Sequence, residues 1–190
     1  LLLKKNCRVL TLMNLMPMNT PFKVLNMLIV LLFAPIANSI VIVPKPPEIK
    51  VESYVLYNPN TGTIIASEEE TNQIKPASIT KLMTAYAVFH AIKEEQIAMD
   101  DPVRVSKNAM KAAVGGSSMF IDQYMNVTVE DLIKGMIIIS GNDASVALAE
   151  HIAGNEETFA IYMNMYGEAL GMKNTNFTNS HGLEDEEHYS

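Results

Sequence analysis

Cysteine occurs once in this chain, at Cys7, and tryptophan not at all. A single thiol excludes a disulfide scaffold and a zinc–thiolate cluster; with the first segment removed, it also excludes a cysteine nucleophile. Acidic residues are missing from residues 1–39, which hold Lys4, Lys5, Arg8 and Lys23. Of the 14 basic residues four lie there, so the rest of the chain carries ten against 21 acids. An acidic body offers no footprint for nucleic acid or for an anionic membrane surface. There is no internal repeat and no low-complexity tract. Charged residues make up only 18% of the chain against 48% hydrophobic. That balance excludes a disordered chain, and the 190 residues suit one ordinary domain or part of a larger one.

Long hydrophobic runs are also lacking. The densest, Met27 to Phe33, falls well short of the roughly 20 residues that cross a bilayer. Lys23 precedes it, small residues follow, and Ala37 and Ser39 occupy the −3 and −1 positions of a signal-peptidase site. Residues 18–39 are therefore read as a signal peptide rather than a membrane anchor, and the protein is expected to be exported. Residues 1–17 begin with Leu1, not Met, with candidate starts at Met13, Met16 and Met18, and are read as upstream or non-native sequence. Residues 40–49, with Pro44-Lys-Pro-Pro47, form a stiff linker.

Beyond the linker, Val51–Tyr57 and Thr63–Ser67 flank the turn Asn58-Pro-Asn-Thr-Gly62 and predict a β-hairpin. A helix is predicted over Ser78–Glu95, with Leu82, Ala85, Val88, Phe89 and Ile92 recurring at spacings of 3 and 4. A short extended piece at Val103–Val105 precedes a short helix over Ser106–Ala113 and a loop at Gly115-Gly-Ser-Ser118. Thr128-Val-Glu-Asp131 approximates a capping box and opens a helix to about Ile139. Two more helices span Ala144–Ala153 and Glu156–Leu170, stopped by Gly154 and Gly171.

Within Lys75-Pro-Ala-Ser-Ile-Thr-Lys81, Ser78 stands at the helix start and Lys81 three residues on, on the same face. If Ser78 merely capped the helix, position 81 would favour Glu or Gln, because a first-turn cation opposes the helix dipole. Partial burial at the positive end of a helix lowers a lysine pKa, and a neutral amine beside a hydroxyl is a base that activates serine. The backbone N–H of Ser78 could add one oxyanion donor. Ser-x-x-Lys alone is weak, since about one match arises by chance in such a length. Ser140-Gly-Asn142 lies at a helix-to-helix turn 62 residues after Ser78. Its hydroxyl can relay a proton and its amide can both donate and accept, but the same residues also make an ordinary helix stop and N-cap.

In this order and spacing the two motifs resemble those of the serine D-alanyl-D-alanine carboxypeptidases, the low-molecular-mass penicillin-binding proteins of the β-lactamase/transpeptidase-like superfamily. The likeness extends over residues 50–190 and includes Lys75–Tyr86, Gly115–Ile121, Ile137–Ala147, Leu170–Phe177 and Asn179-Ser-His-Gly-Leu183. The resemblance implies an α/β (α+β) fold, an antiparallel sheet flanked by a helical cluster, of which this chain is the N-terminal part. It implies that Ser78 attacks the carbonyl of the penultimate D-alanine of a peptidoglycan stem peptide and that Lys81 takes its proton. Ser140 would pass a proton to the leaving D-alanine, and Asn142 would hold the substrate backbone. β-Lactams would acylate Ser78. No metal and no cofactor are implied. His181 is read as structural, because a lysine already fills the role of base.

The family's third motif, Lys-Thr-Gly, is absent from the 190 residues. The chain as it stands is therefore expected to be poorly folded and inactive, with membrane association limited to the signal segment or a C-terminal helix beyond Ser190. Two rivals remain. A serine β-lactamase shares Ser-x-x-Lys, but commonly has Ser-Asp-Asn where this chain has Gly141, and Asn174–Gly182 contains no Glu for a deacylating water. A non-catalytic wall-binding relative would have no need of both Ser78 and Lys81.

Overall fold

The computed structural model describes residues 47–183 and 185–190. The signal peptide, the upstream segment and most of the linker lie outside the described residues. Residues 49–190 form one compact unit.

Strand β1, Tyr54–Asn58, pairs antiparallel with β2, Thr63–Glu68, from Tyr54↔Glu68 to Asn58↔Thr63, with a bulge between Leu56 and Tyr57. Gly62, at φ 70, supplies the left-handed residue that the turn requires. A 3₁₀ turn at Ala77–Ile79 leads into α1, Thr80–Lys93. A second, short ladder joins β3, Pro102–Val103, to β4, Val127–Thr128. Between them lies α2, Lys107–Ala112, whose N-cap Ser106 accepts from the N–H groups of Asn108 and Ala109. Helix α3, Val129–Ile138, opens on a complete capping box, Thr128 with Asp131. Helices α4, Asn142–Ala153, and α5, Glu156–Ala169, follow.

Helix α4 is the spine. Ala144, Val146, Ala147, Leu148 and Ala149 are all buried, and α1, α2, α3 and α5 pack around them. A helix that is apolar or small on every side suits such a central position. Leu132, Met136, Phe159, Met163 and Val88 complete the core.

Helix α1 departs from the expected stripe. Ala85 and Val88 are buried as predicted and Ile92 partly so, but Leu82 and Phe89 are 68% and 50% exposed. The inward face instead carries Thr80, Lys81 and Thr84 together with Met83, Ala87 and Ala91. Three polar side chains turn inward because each finds a partner there; the outward face, with Leu82 and Tyr86, walls a hollow of about 260 Å³ closed by Leu170, Met172 and Phe177.

Candidate active site

Ser78 sits inside the 3₁₀ turn, exposed, and its side chain caps nothing: α1 takes Ile79 as N-cap with no side-chain hydrogen bond. The capping explanation of Ser78 is thereby removed. Ala77, just before it, is a non-glycine residue at φ 47. A left-handed residue of this kind costs about 1–3 kcal/mol and persists only where its surroundings over-determine it.

Lys81, in the first turn of α1, is 3% exposed. Its Nζ lies 2.7 Å from Asn142 Oδ1, 3.0 Å from the His181 carbonyl oxygen and 3.2 Å from Ser78 Oγ. Burial lowers its pKa from 10.5 to about 8. As an ammonium, Nζ donates to all three oxygens. As a neutral amine it keeps two N–H donors, enough for Asn142 and His181, and turns its lone pair to the Ser78 hydroxyl. The site thus accommodates both protonation states without moving a heavy atom.

The chain between α3 and α4 delivers Ser140 and Asn142. Ser140, like Ala77, is a non-glycine residue in the left-handed region, at φ 59, and Gly141 serves as N-cap of α4. Asn142 is 3% exposed; its N–H donates to the Ser117 carbonyl at 2.8 Å while its Oδ1 accepts from Lys81. Ser78, Lys81 and Asn142 therefore form one hydrogen-bonded set. Ser140 shares the turn that carries Asn142, but its hydroxyl has no hydrogen-bond partner among the described residues.

Asp143 is a component that sequence reasoning missed. It is fully buried, and its carboxylate accepts from the Met119 N–H at 2.9 Å, the Ser118 hydroxyl at 2.8 Å and the Ile121 N–H at 3.3 Å. These bonds fasten the 115–121 loop to the start of α4. At Gly116 a Cβ would come within 2.3 Å of Asn142 Nδ2, so glycine is what lets the loop lie against the amide. The sequence held a partial signal for Asp143, since acids are common in a helix's first turn, but that signal points to the helix dipole and not to a loop clamp.

His181 serves the site through its backbone. Its Nδ1 accepts from the Leu183 N–H at 3.0 Å, its Nε2 is 3.6 Å from Glu156 Oε1, and burial lowers its pKa. Glu156 Oε1 also takes the N–H and hydroxyl of Ser180, at 2.9 and 2.6 Å, and Thr84 donates to the Ser180 carbonyl at 2.6 Å. The carbonyl that receives Lys81 is held from two sides.

An exposed serine beside a buried, low-pKa lysine, on a helix packed against a Ser-x-Asn helix start, is the arrangement that the resemblance to the penicillin-binding proteins implies. The D-alanyl-D-alanine carboxypeptidase profile of peptidase S11 matches residues 40–190, and the chain belongs to that family. It is 45% identical over 146 residues to D-alanyl-D-alanine carboxypeptidase DacA of Haemophilus influenzae, covering 76% of this chain and 37% of that protein. With DacF of Bacillus subtilis it shares 43% over 141 residues, 74% of this chain and 36% of the relative. Among solved structures, penicillin-binding protein 5 from Haemophilus influenzae superposes with a TM-score of 0.74 at 44% identity, over 78% of this chain and 43% of that one. A Streptomyces K15 DD-transpeptidase mutant superposes with a TM-score of 0.70 at 27% identity, over 76% and 58%. The fold is that of the penicillin-binding proteins. The chain spans less than two fifths of the length of these curated relatives.

Proposed function

We propose that the protein is a serine D-alanyl-D-alanine carboxypeptidase that removes the terminal D-alanine from peptidoglycan stem pentapeptides, and that residues 50–190 belong to its catalytic domain. The observation that carries this is the Lys81 amine, buried, with a pKa of about 8, and 3.2 Å from the Ser78 hydroxyl. Ser78 Oγ attacks the carbonyl of the penultimate D-alanine as Lys81 Nζ takes its proton. Collapse of the tetrahedral intermediate breaks the peptide bond, and Ser140 passes a proton to the departing D-alanine amine. Water then hydrolyses the ester on Ser78. Asn142 Oδ1 is engaged with Lys81, which leaves Nδ2, lying against Gly116, as the amide's donor for a substrate backbone. β-Lactams acylate the same oxygen.

Residues 18–39 are the signal peptide of this reading, residues 40–49 its linker, and the outer face of the bacterial cytoplasmic membrane or the periplasm its location. Support comes from the basic, apolar and small-residue order of the leader and from relatives named as D-alanyl-D-alanine carboxypeptidases. The test is D-alanine release from a peptide ending in D-alanyl-D-alanine by the full-length protein. Release that Ser78→Ala abolishes is expected; release that survives Ser78→Ala overturns the assignment.

A further inference from the structure

The turn that carries Ser78, and the start of α1 that carries Lys81, are flanked by a wrap of residues 176–183 and 185–190, and one contact of that wrap reaches Thr80, which lies with Ile79 between Ser78 and Lys81. His188 is 2% exposed and its Nε2 lies 2.7 Å from Thr80 Oγ1, itself on a residue 1% exposed. The backbone N–H of Thr178 points at the other ring nitrogen, Nδ1, from 3.1 Å. A backbone N–H can only donate, so Nδ1 is the acceptor, the proton resides on Nε2, and Nε2–H donates to Thr80. The Phe177 ring stands edge-on to the imidazole at 5.7 Å and limits its tilt.

Thr80 is where such a bond matters. Its backbone N–H closes on the carbonyls of Ala77 and Ser78, so it is the last link of the strained turn. Two further contacts of the same wrap restrain the turn and the segment before it. Ile74 and Ser190 exchange both backbone hydrogen bonds at 3.0 Å. Gly182 admits the Ala77 carbonyl where a Cβ would lie 1.8 Å from its oxygen. A turn held in a sparsely populated conformation needs restraint at several points, and His188 supplies the one made by a side chain on Thr80.

We propose that His188 is a positioning residue for acylation: through Thr80 it fixes the turn that sets Ser78 Oγ against Lys81 Nζ. The inference rests on the acyl-enzyme reading above, and His188 itself touches neither reacting atom. A core histidine that only stabilised the fold would have the same burial, so the test must separate rate from stability.

The experiment measures the acylation rate constant and the binding constant of a fluorescent penicillin on the full-length protein, with melting temperature alongside. His188→Phe keeps a ring but removes both nitrogens; Thr80→Val removes the acceptor; His188→Gln returns an amide N–H to Thr80 and a carbonyl to Thr178. His188→Phe and Thr80→Val are expected to slow acylation by about tenfold to a hundredfold with binding unchanged. The double variant should be no slower than either single, as for two ends of one bond, and His188→Gln should recover most of the rate. If His188→Phe fails to fold, Thr80→Val and His188→Gln carry the test between them. Native-rate acylation in folded His188→Phe or Thr80→Val, a His188→Gln variant as slow as the phenylalanine one, or multiplied effects in the double variant would overturn the inference alone. A native protein that no penicillin labels would overturn the acyl-enzyme reading and this inference with it.

Discussion

At the scale of single residues, Lys81 is the group on which the proposed chemistry turns. Removing its ammonium from water lowers the folded-state pKa to about 8 from 10.5. Between those values the unfolded chain still holds a proton that the folded chain has released. Stability therefore rises with pH from about 8 to 10.5, and below about 8 the cost of the buried ammonium is present in full. Reactivity follows the same group: acylation by a β-lactam should accelerate as pH rises through about 8 and then level off. Stopped-flow acylation from pH 6 to 10 checks this, and a rate independent of pH across that range would remove Lys81 as the base. Lys81→Arg should lose acylation by at least about a thousandfold, since a guanidinium stays protonated and cannot accept from Ser78. The same buried position explains why so polar a residue tolerates the interior: every donor of Nζ has an oxygen to meet.

At the scale of elements, the start of α4 and the 115–121 loop act as one piece. Gly116→Ala would place a Cβ 2.3 Å from Asn142 Nδ2, so the amide must turn away from Lys81. Acylation should fall by about tenfold or more, and thermal stability should fall with it, because the buried Lys81 loses an acceptor; both are readable on one purified variant. By contrast, Thr128→Ala removes the cap of α3, far from the chemistry, and should cost about 1 kcal/mol of stability with acylation unchanged. The hairpin, the short α2 helix, this cap and the glycine stops of α4 and α5 were legible in the sequence, because local chemistry specifies each of them. Spacing and resemblance singled out Ser78, Lys81, Ser140 and Asn142, and three of them, Ser78, Lys81 and Asn142, are joined by hydrogen bonds. The inward face of α1 was not. That helix is apolar on most sides, and Thr80 and Thr84 turn inward for partners 108 and 96 residues away. The His181 carbonyl left no trace either, since a backbone oxygen is the same in every residue. Asp143 looked like an ordinary first-turn acid until the loop 22 to 25 residues upstream closed over it.

On the scale of the whole molecule, the same Ser-x-x-Lys arrangement serves peptidases and β-lactamases, and lifetime of the acyl-enzyme separates them. The acid beside the His181 ring is Glu156, and its Oε1 is already bound by Ser180, which disfavours it as activator of a deacylating water. A β-lactam adduct should therefore be long-lived and not turned over rapidly as in a β-lactamase. The most direct measurement is intact-protein and peptide mass spectrometry of the full-length protein after incubation with benzylpenicillin. The account predicts one added penicilloyl group on the peptide containing Ser78, absent from Ser78→Ala and stable over minutes. An adduct on any other residue, or one that persists in Ser78→Ala, would contradict it.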